Sequence, residues 1–192
     1  MKNSEMTAAI LAGGRSSRMG TDKALLPSHG KTFIEQIAKE LSSVFEVVVI
    51  ISDSKEQYEF LKLPIYEDIY KNSGPLAGIH SAMRHSKQQN LFIASCDIPC
   101  ITMDLIGYLL EARHEEDVTI FSVDNVPQPL VGIYHSKILP IIEEKLQSYQ
   151  LSVLKLISEV RSTVIPFPWS NEYPHGLVNV NTPEEYIQYC KS

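Results

Sequence analysis

The 192-residue chain has no apolar run near the roughly 20 residues that a membrane-spanning helix needs. The run Val47–Ile51, as long as any, is the length of a strand. Its first residues, Met1-Lys2-Asn3-Ser4-Glu5, meet an acid where a secretory leader would enter its apolar core, so no signal peptide is expected and the cytoplasm is the expected compartment. Cysteine is scarce: Cys96, Cys100 and Cys190 are too few, and odd in number, for a disulfide framework. Cys96 and Cys100 lack a second pair that would complete a zinc site. A basic excess is missing too. The 17 cations face 23 anions, for a net charge of −6, which argues against a general nucleic-acid binder. There is no linker-like, repetitive or low-complexity tract, the six histidines show no metal-ligand spacing, and no Ser-His-Asp or Cys-His set is recognisable.

What remains is an ordinary globular composition, 44% hydrophobic and 21% charged, of a length that suits one domain. Short β-rich runs alternate with helical patterns. Strands are expected at Thr7–Leu11, Val47–Ile51, Pro64–Tyr66, Leu91–Ala94, Val118–Val123 and Leu130–Tyr134. Thr32 with Glu35 forms a capping-box signature, followed by Ile34, Ile37, Ala38 and Leu41 at helical spacing. Ser54–Leu61 reads as a short helix, Gly74-Pro75 as a helix start, and Thr102 as the cap of a helix with Ile106, Leu109 and Leu110 inward. Ile138–Leu146 and Ser152–Val160 read as helices, Thr163–Pro166 as extended, and Thr182-Pro183-Glu184-Glu185 as a last helix start. The alternation predicts an α/β fold, a mostly parallel sheet with helices on both faces. Such sheets bind ligands at the C-terminal ends of their strands, where strand order reverses.

The residues after the first strand are therefore informative. Leu11-Ala12-Gly13-Gly14-Arg15-Ser16-Ser17-Arg18-Met19-Gly20-Thr21-Asp22-Lys23 contains neither the G-x-G-x-x-G nor the G-x-x-x-x-G-K-[ST] pattern. Its parts nevertheless suit a polyphosphate. Glycines let backbone N–H groups approach an anion, Arg can fork two oxygens, and Lys is a compact point charge. Residues 1–31 carry a net +3 inside this acidic chain, a local cluster better matched to a small anion than to a polyanion. Taken alone, the loop is also compatible with a solvated surface turn.

The segment Leu11-Ala12-Gly13-Gly14, Arg18-Met19-Gly20, Asp22-Lys23 resembles the signature loop of the molybdenum cofactor guanylyltransferases, part of a larger group of nucleotidyltransferases. Three later segments follow in the same order as in that family: Glu67-Asp68 with Gly74-Pro75-Leu76-Ala77-Gly78, then Cys96-Asp97-Ile98-Pro99, then Asn179-Val180-Asn181-Thr182-Pro183. The resemblance implies a single three-layer, Rossmann-like nucleotidyltransferase domain over residues 1–192. Residues 1–100 would form its nucleotide and metal half and 101–192 its acceptor half. It implies that Leu11, Ala12, Gly13, Gly14, Arg18, Lys23, Asp68 and Asp97 bind GTP, with Arg18, Lys23 and Asp97 catalytic. Asp97 would hold Mg²⁺. Gly74, Pro75, Leu76, Ala77, Gly78, Asn179 and Asn181 would face the pterin, Mo-molybdopterin. Other proteins of cofactor biosynthesis and molybdoenzyme maturation are the further partners it implies; nucleic acid and membrane are not expected.

The bare residues point the same way at two places. Asp97 ends an apolar strand, and a carboxylate beside a phosphate site is what Mg²⁺ requires. Gly74-Pro75 opens a helix whose N-terminus favours an anion. Where the family often carries Asn after the second strand, this chain has Ile50-Ile51-Ser52-Asp53. The L-A-G-G loop and N-x-N-T-P segment favour the guanylyl over the cytidylyl branch. The rival readings are that cytidylyl transfer, a sugar-phosphate nucleotidyl transfer on the same fold, and a GTP-binding module without chemistry.

Overall fold

A computed structural model describes residues 2–13, 22–28, 30–168, 177 and 179–191. Its centre is a seven-stranded sheet. The strands are β1 (Asn3–Leu11), β4 (Phe45–Ile51), β5 (Ile65–Tyr66), β6 (Asn90–Ser95), β7 (Val118–Val123), β8 (Val126–His135) and β9 (Ser162–Pro166), in the spatial order β5-β4-β1-β6-β8-β7-β9. Pairing is parallel from β5 through β6 and again between β7 and β9. It is antiparallel where β8 lies between β6 and β7. A small hairpin, β2 (Pro27–Ser28) with β3 (Lys31–Thr32), precedes the first helix.

Helices cover both faces, as the alternation implies. On one side α1 (Phe33–Val44) and α4 (Met103–Ala112) bury Ile34, Ile37, Leu41, Leu105, Ile106 and Leu109 with Ala8, Ile10, Val48 and Ile50 of the sheet. On the other, α3 (Gly74–His85), α5 (Leu139–Gln147) and α6 (Val153–Glu159) pack Leu76, Ile79, Ile142 and Leu156 on Ala9, Leu11, Val49 and Ile51. Successive residues of β1 and β4 thus feed opposite cores, which is why those runs are continuously apolar. Val47 is the departure: it is 40% exposed, while Phe45 before it and Val48 after it are buried.

The helix starts follow their sequence signals. In α1 the Thr32 N–H donates to Glu35 Oε2 at 2.7 Å, and the Glu35 N–H donates to Thr32 Oγ1. The last helix, α7 (Pro183–Lys191), repeats the device: the Asn181 and Thr182 N–H groups donate to Glu185 Oε2 at 2.6 and 2.9 Å. Tyr186 and Tyr189 of α7 meet the Phe33 ring edge-on, with centroids 6.0 and 5.4 Å away. That contact draws the end of the chain back to the start of α1.

The β7–β8 hairpin departs from the sequence reading, which began the second strand at Leu130. Asp124 and Asn125 both take positive φ, 50° and 64°, giving the two-residue turn whose twist matches a hairpin. The pairing then shifts register between Ile120 and Phe121. Gly132 sits opposite Ile120 at that irregularity, where an added Cβ would lie 2.5 Å from Ile120 Cγ2 and 2.6 Å from the Thr119 carbonyl oxygen. Backbone cannot yield to that intrusion cheaply. Gly132→Ala is therefore expected to destabilise the protein by about 1–3 kcal/mol, as overpacking does. A thermal melt should fall by several degrees; an unchanged melting temperature would show that the hairpin has room to spare.

Candidate functional site

The chain runs from β1 to β4 on one side of it and returns to β6 on the other, so strand order reverses between β1 and β6. At the C-terminal ends of these strands lies a cleft of about 700 Å³. Main-chain bonds fix its floor. The Ala12 N–H donates to the Ile51 carbonyl at 2.9 Å, and the Cys96 N–H to the Leu11 carbonyl at 3.1 Å. The Ser52 N–H donates to the Tyr66 carbonyl at 2.8 Å.

Nine of the residues singled out in the sequence border this cleft: Leu11, Ala12, Gly13, Lys23, Asp68, Gly74, Pro75, Gly78 and Asp97. Gly14 and Arg18 lie outside the described residues. Leu76 and Ala77 do not face the cleft. Both are fully buried, because the helical period of α3 turns them onto the sheet while Gly74, Pro75 and Gly78 border the opening. Gly74 itself has φ +66°, a backbone shape that side chains resist. Gly78 is small for a different reason: a Cβ there would press to 3.1 Å from Leu11 Cδ2.

The C-terminal segment closes on the site from 158 residues away. Lys23 Nζ donates to Asn181 Oδ1 at 2.7 Å, and the Val180 N–H donates to the Asp97 carbonyl at 2.8 Å. Glu185, by accepting from the Asn181 N–H, holds the segment that carries this contact. Asn181 thus orients the lysine. Asn179 is half-buried beside it and does not border the cleft.

Asp97 leaves the end of β6 with Oδ1 buried and, among the described residues, without a hydrogen-bond partner. A carboxylate oxygen in that condition is costly unless a cation meets it. Asp68 Oδ1 is in the same state. Burial, and secondarily the Asp53 carboxylate, push the Asp68 acid up to about 6 against the pull of Lys71. Asp53 accepts from Lys71 Nζ at 2.6 Å and from the Asp68 N–H at 3.2 Å. The Cys96 thiol borders the cleft, and burial together with the Asp97 and Asp22 carboxylates pushes its ionisation up, which favours the thiol over the more nucleophilic thiolate.

Sequence reasoning missed several cleft residues. Asn72 takes φ 57° just before the glycine of α3, a shape that its Asn-Ser-Gly turn sequence permits. Tyr58, on the four-residue helix α2 (Lys55–Tyr58), reaches the cleft from a segment that carries no motif. Ser54 and Ser95 follow and end strands, where the strand-end rule alone would have found them.

The raised pKa of Asp68 has a stability consequence. Between its unfolded value near 4 and its folded value of about 6, the folded protein binds more protons, so stability falls as pH rises across that window. Asp68→Asn removes the strain of the buried charge. The variant should melt above the parent at pH 8, with the gap closing towards pH 4. A gap independent of pH would mean that Asp68 is not strained by ionisation.

Comparison with known proteins bears on the same residues. The family model described as the MobA-like NTP transferase domain matches residues 8–161. A relative from Carboxydothermus hydrogenoformans, described as a probable molybdenum cofactor guanylyltransferase, is 35% identical over 97% of this chain and 95% of its own. A Bacillus cereus relative of the same description is 38% identical over 98% and 97%. Among solved structures, molybdopterin-guanine dinucleotide biosynthesis protein A of Archaeoglobus fulgidus superposes with a TM-score of 0.80 over 96% of this chain and 97% of its own; at 23% identity that likeness concerns the fold. Matched by the family model over most of its length and by these relatives over nearly all of it, the chain belongs to the MobA-like NTP transferase domain family.

Proposed function

We propose that this nucleotidyltransferase transfers GMP from GTP to the terminal phosphate of Mo-molybdopterin, releasing pyrophosphate and forming the guanine dinucleotide cofactor. The observation that carries the reading is Asp97, its buried Oδ1 without a partner among the described residues, standing at the β1–β6 reversal in the same cleft as Lys23. The relatives' descriptions supply the base and the acceptor.

The acceptor needs no general base. A phosphate monoester has a second pKa near 6 and is already largely dianionic at neutral pH. What the reaction requires is in-line alignment and relief of the repulsion between two anions. The described cleft sets four carboxylates, Asp22, Asp53, Asp68 and Asp97, against Lys23. Such a lining favours an anion that arrives with its own cation. The donor set fits Mg²⁺, which takes one or two carboxylates and completes its shell with phosphates and water. Asp97 would hold that ion, which when bound would neutralise phosphate charge. Lys23, kept in place by Asn181, would bind the triphosphate, and Arg18 would add charge from the loop. Leu11, Ala12, Gly13 and Gly14 would lie along the nucleotide, with Asp68 at its other end. Gly74, Pro75 and Gly78 would border the pterin. The Lys23–Asn181 bond would then couple the nucleotide half, residues 1–100, to the acceptor half, 101–192.

A product assay tests this directly. Protein, Mg²⁺, molybdenum-loaded molybdopterin and an equimolar mixture of GTP, CTP and ATP should yield a guanine dinucleotide and pyrophosphate, read by mass. A cytosine dinucleotide would move the chain to the cytidylyl reaction, and no dinucleotide would refute the transfer. In the same assay Asp97→Asn should abolish turnover with the fold intact. Lys23→Ala should lower the rate by about 100-fold or more, the scale of a lost charge-stabilising donor. A loss below about threefold would place Lys23 outside the transition-state contacts.

A further inference from the structure

Tyr58 is 2% exposed, yet it borders the cleft. It donates to Asp22 Oδ2 at 2.5 Å. The other oxygen of Asp22, Oδ1, accepts the Ala24 N–H at 3.0 Å and caps the short 3₁₀ turn Lys23–Leu25. Ser52, just past the end of β4, borders the same cleft. Burial and the Asp22 carboxylate push the phenol's ionisation well above its ordinary value, which keeps it a donor.

The arrangement answers a difficulty that the sequence creates. Asp22 precedes Lys23 directly, and both border the cleft. A loose carboxylate there has two harmful courses. It can pair with the Lys23 ammonium, or it can face an incoming polyphosphate and repel it; at about 4 Å either interaction is strong in a partly buried site. Two donors, the Ala24 amide and the Tyr58 hydroxyl, occupy one Asp22 oxygen each. Lys23 is then left to Asn181.

We propose that Tyr58 is a positioning residue for the nucleotidyl transfer: its hydroxyl holds the Asp22 carboxylate away from Lys23, so that the ammonium remains available to phosphate. This rests on the reading of the cleft as a GTP site. It assigns Tyr58 no contact with substrate; the phenol acts through Asp22.

The test compares the parent protein, Y58F and the double variant Y58F/D22N. Calorimetry measures binding of Mg·GTP and of tripolyphosphate, which needs no base contact, and the product assay measures kcat/KM for GTP. Y58F removes one buried oxygen and should fold, as thermal melts and circular dichroism would show. Its tripolyphosphate affinity should fall by about tenfold, the scale of one hydrogen bond to a charged group, with kcat/KM falling at least as far. Asn at position 22 keeps an oxygen for Ala24 but carries no charge. The double variant should therefore recover both quantities to within about threefold of the parent, since it removes the misplaced carboxylate itself. A Y58F protein equal to the parent would overturn the proposal. So would a Y58F defect that D22N leaves in place, which would make the phenol a packing residue only. Parent protein that binds tripolyphosphate but transfers no GMP would refute the reaction while leaving the binding comparison to decide Tyr58. Parent protein that binds neither ligand would remove the GTP reading and this proposal with it.

Discussion

The hydrogen bond from the Cys96 amide to the Leu11 carbonyl joins the ends of β1 and β6 at the point where the chain reverses its progress across the sheet. The rest of the site is arranged about it. The backbone of Leu11–Gly13 leaves the sheet on one side of this bond and Asp97 on the other. Both leave from strands whose side chains are buried in two cores, so neither can drift. The Ala12–Ile51 bond extends the same floor to β4, which delivers Ser52 and Asp53. A functional group placed on such a floor inherits the rigidity of a packed sheet.

Charge is the second constraint. The whole chain is acidic, and so is the described lining of the cleft. Each acid is handled differently. Asp22 has its oxygens taken by an amide and a phenol, and Asp53 is paired with Lys71. Asp68 has its acidity weakened by burial, and Asp97 keeps an oxygen without a partner among the described residues. A site built to bind an anion by basic residues alone would not carry this set. A site that binds an anion together with a cation would, because the acids attract the cation and the cation offsets their repulsion of the anion.

Much of this was legible in the chain. Val47–Ile51 and Leu91–Ala94 are buried runs that reveal strands, and Thr32 with Glu35 announces a helix start by a mechanism that operates within four residues. Asp97 could be singled out because an acid that ends an apolar strand is rarely free of a task. The features that escaped are those whose partners are distant or whose signal is weak. Asp124-Asn125 is a less familiar hairpin turn than Asn-Gly, so β8 was begun too late. Leu76 and Ala77 belong to a matching motif, but a motif does not tell which of its residues a helix turns inward. Asn181 meets Lys23 across 158 residues, and Tyr58 meets Asp22 across 36; nothing local in either segment encodes the pairing.

The central claim is that the end of β6 and the loop after β1 together hold a nucleotide with its metal. Its most direct test is a crystal structure of the protein grown with GTP and Mn²⁺, read by anomalous scattering. The account requires an anomalous peak against Asp97 Oδ1, with the triphosphate lying between Gly13 and Lys23. A metal peak elsewhere, or a triphosphate bound outside the β1–β6 cleft, would contradict it.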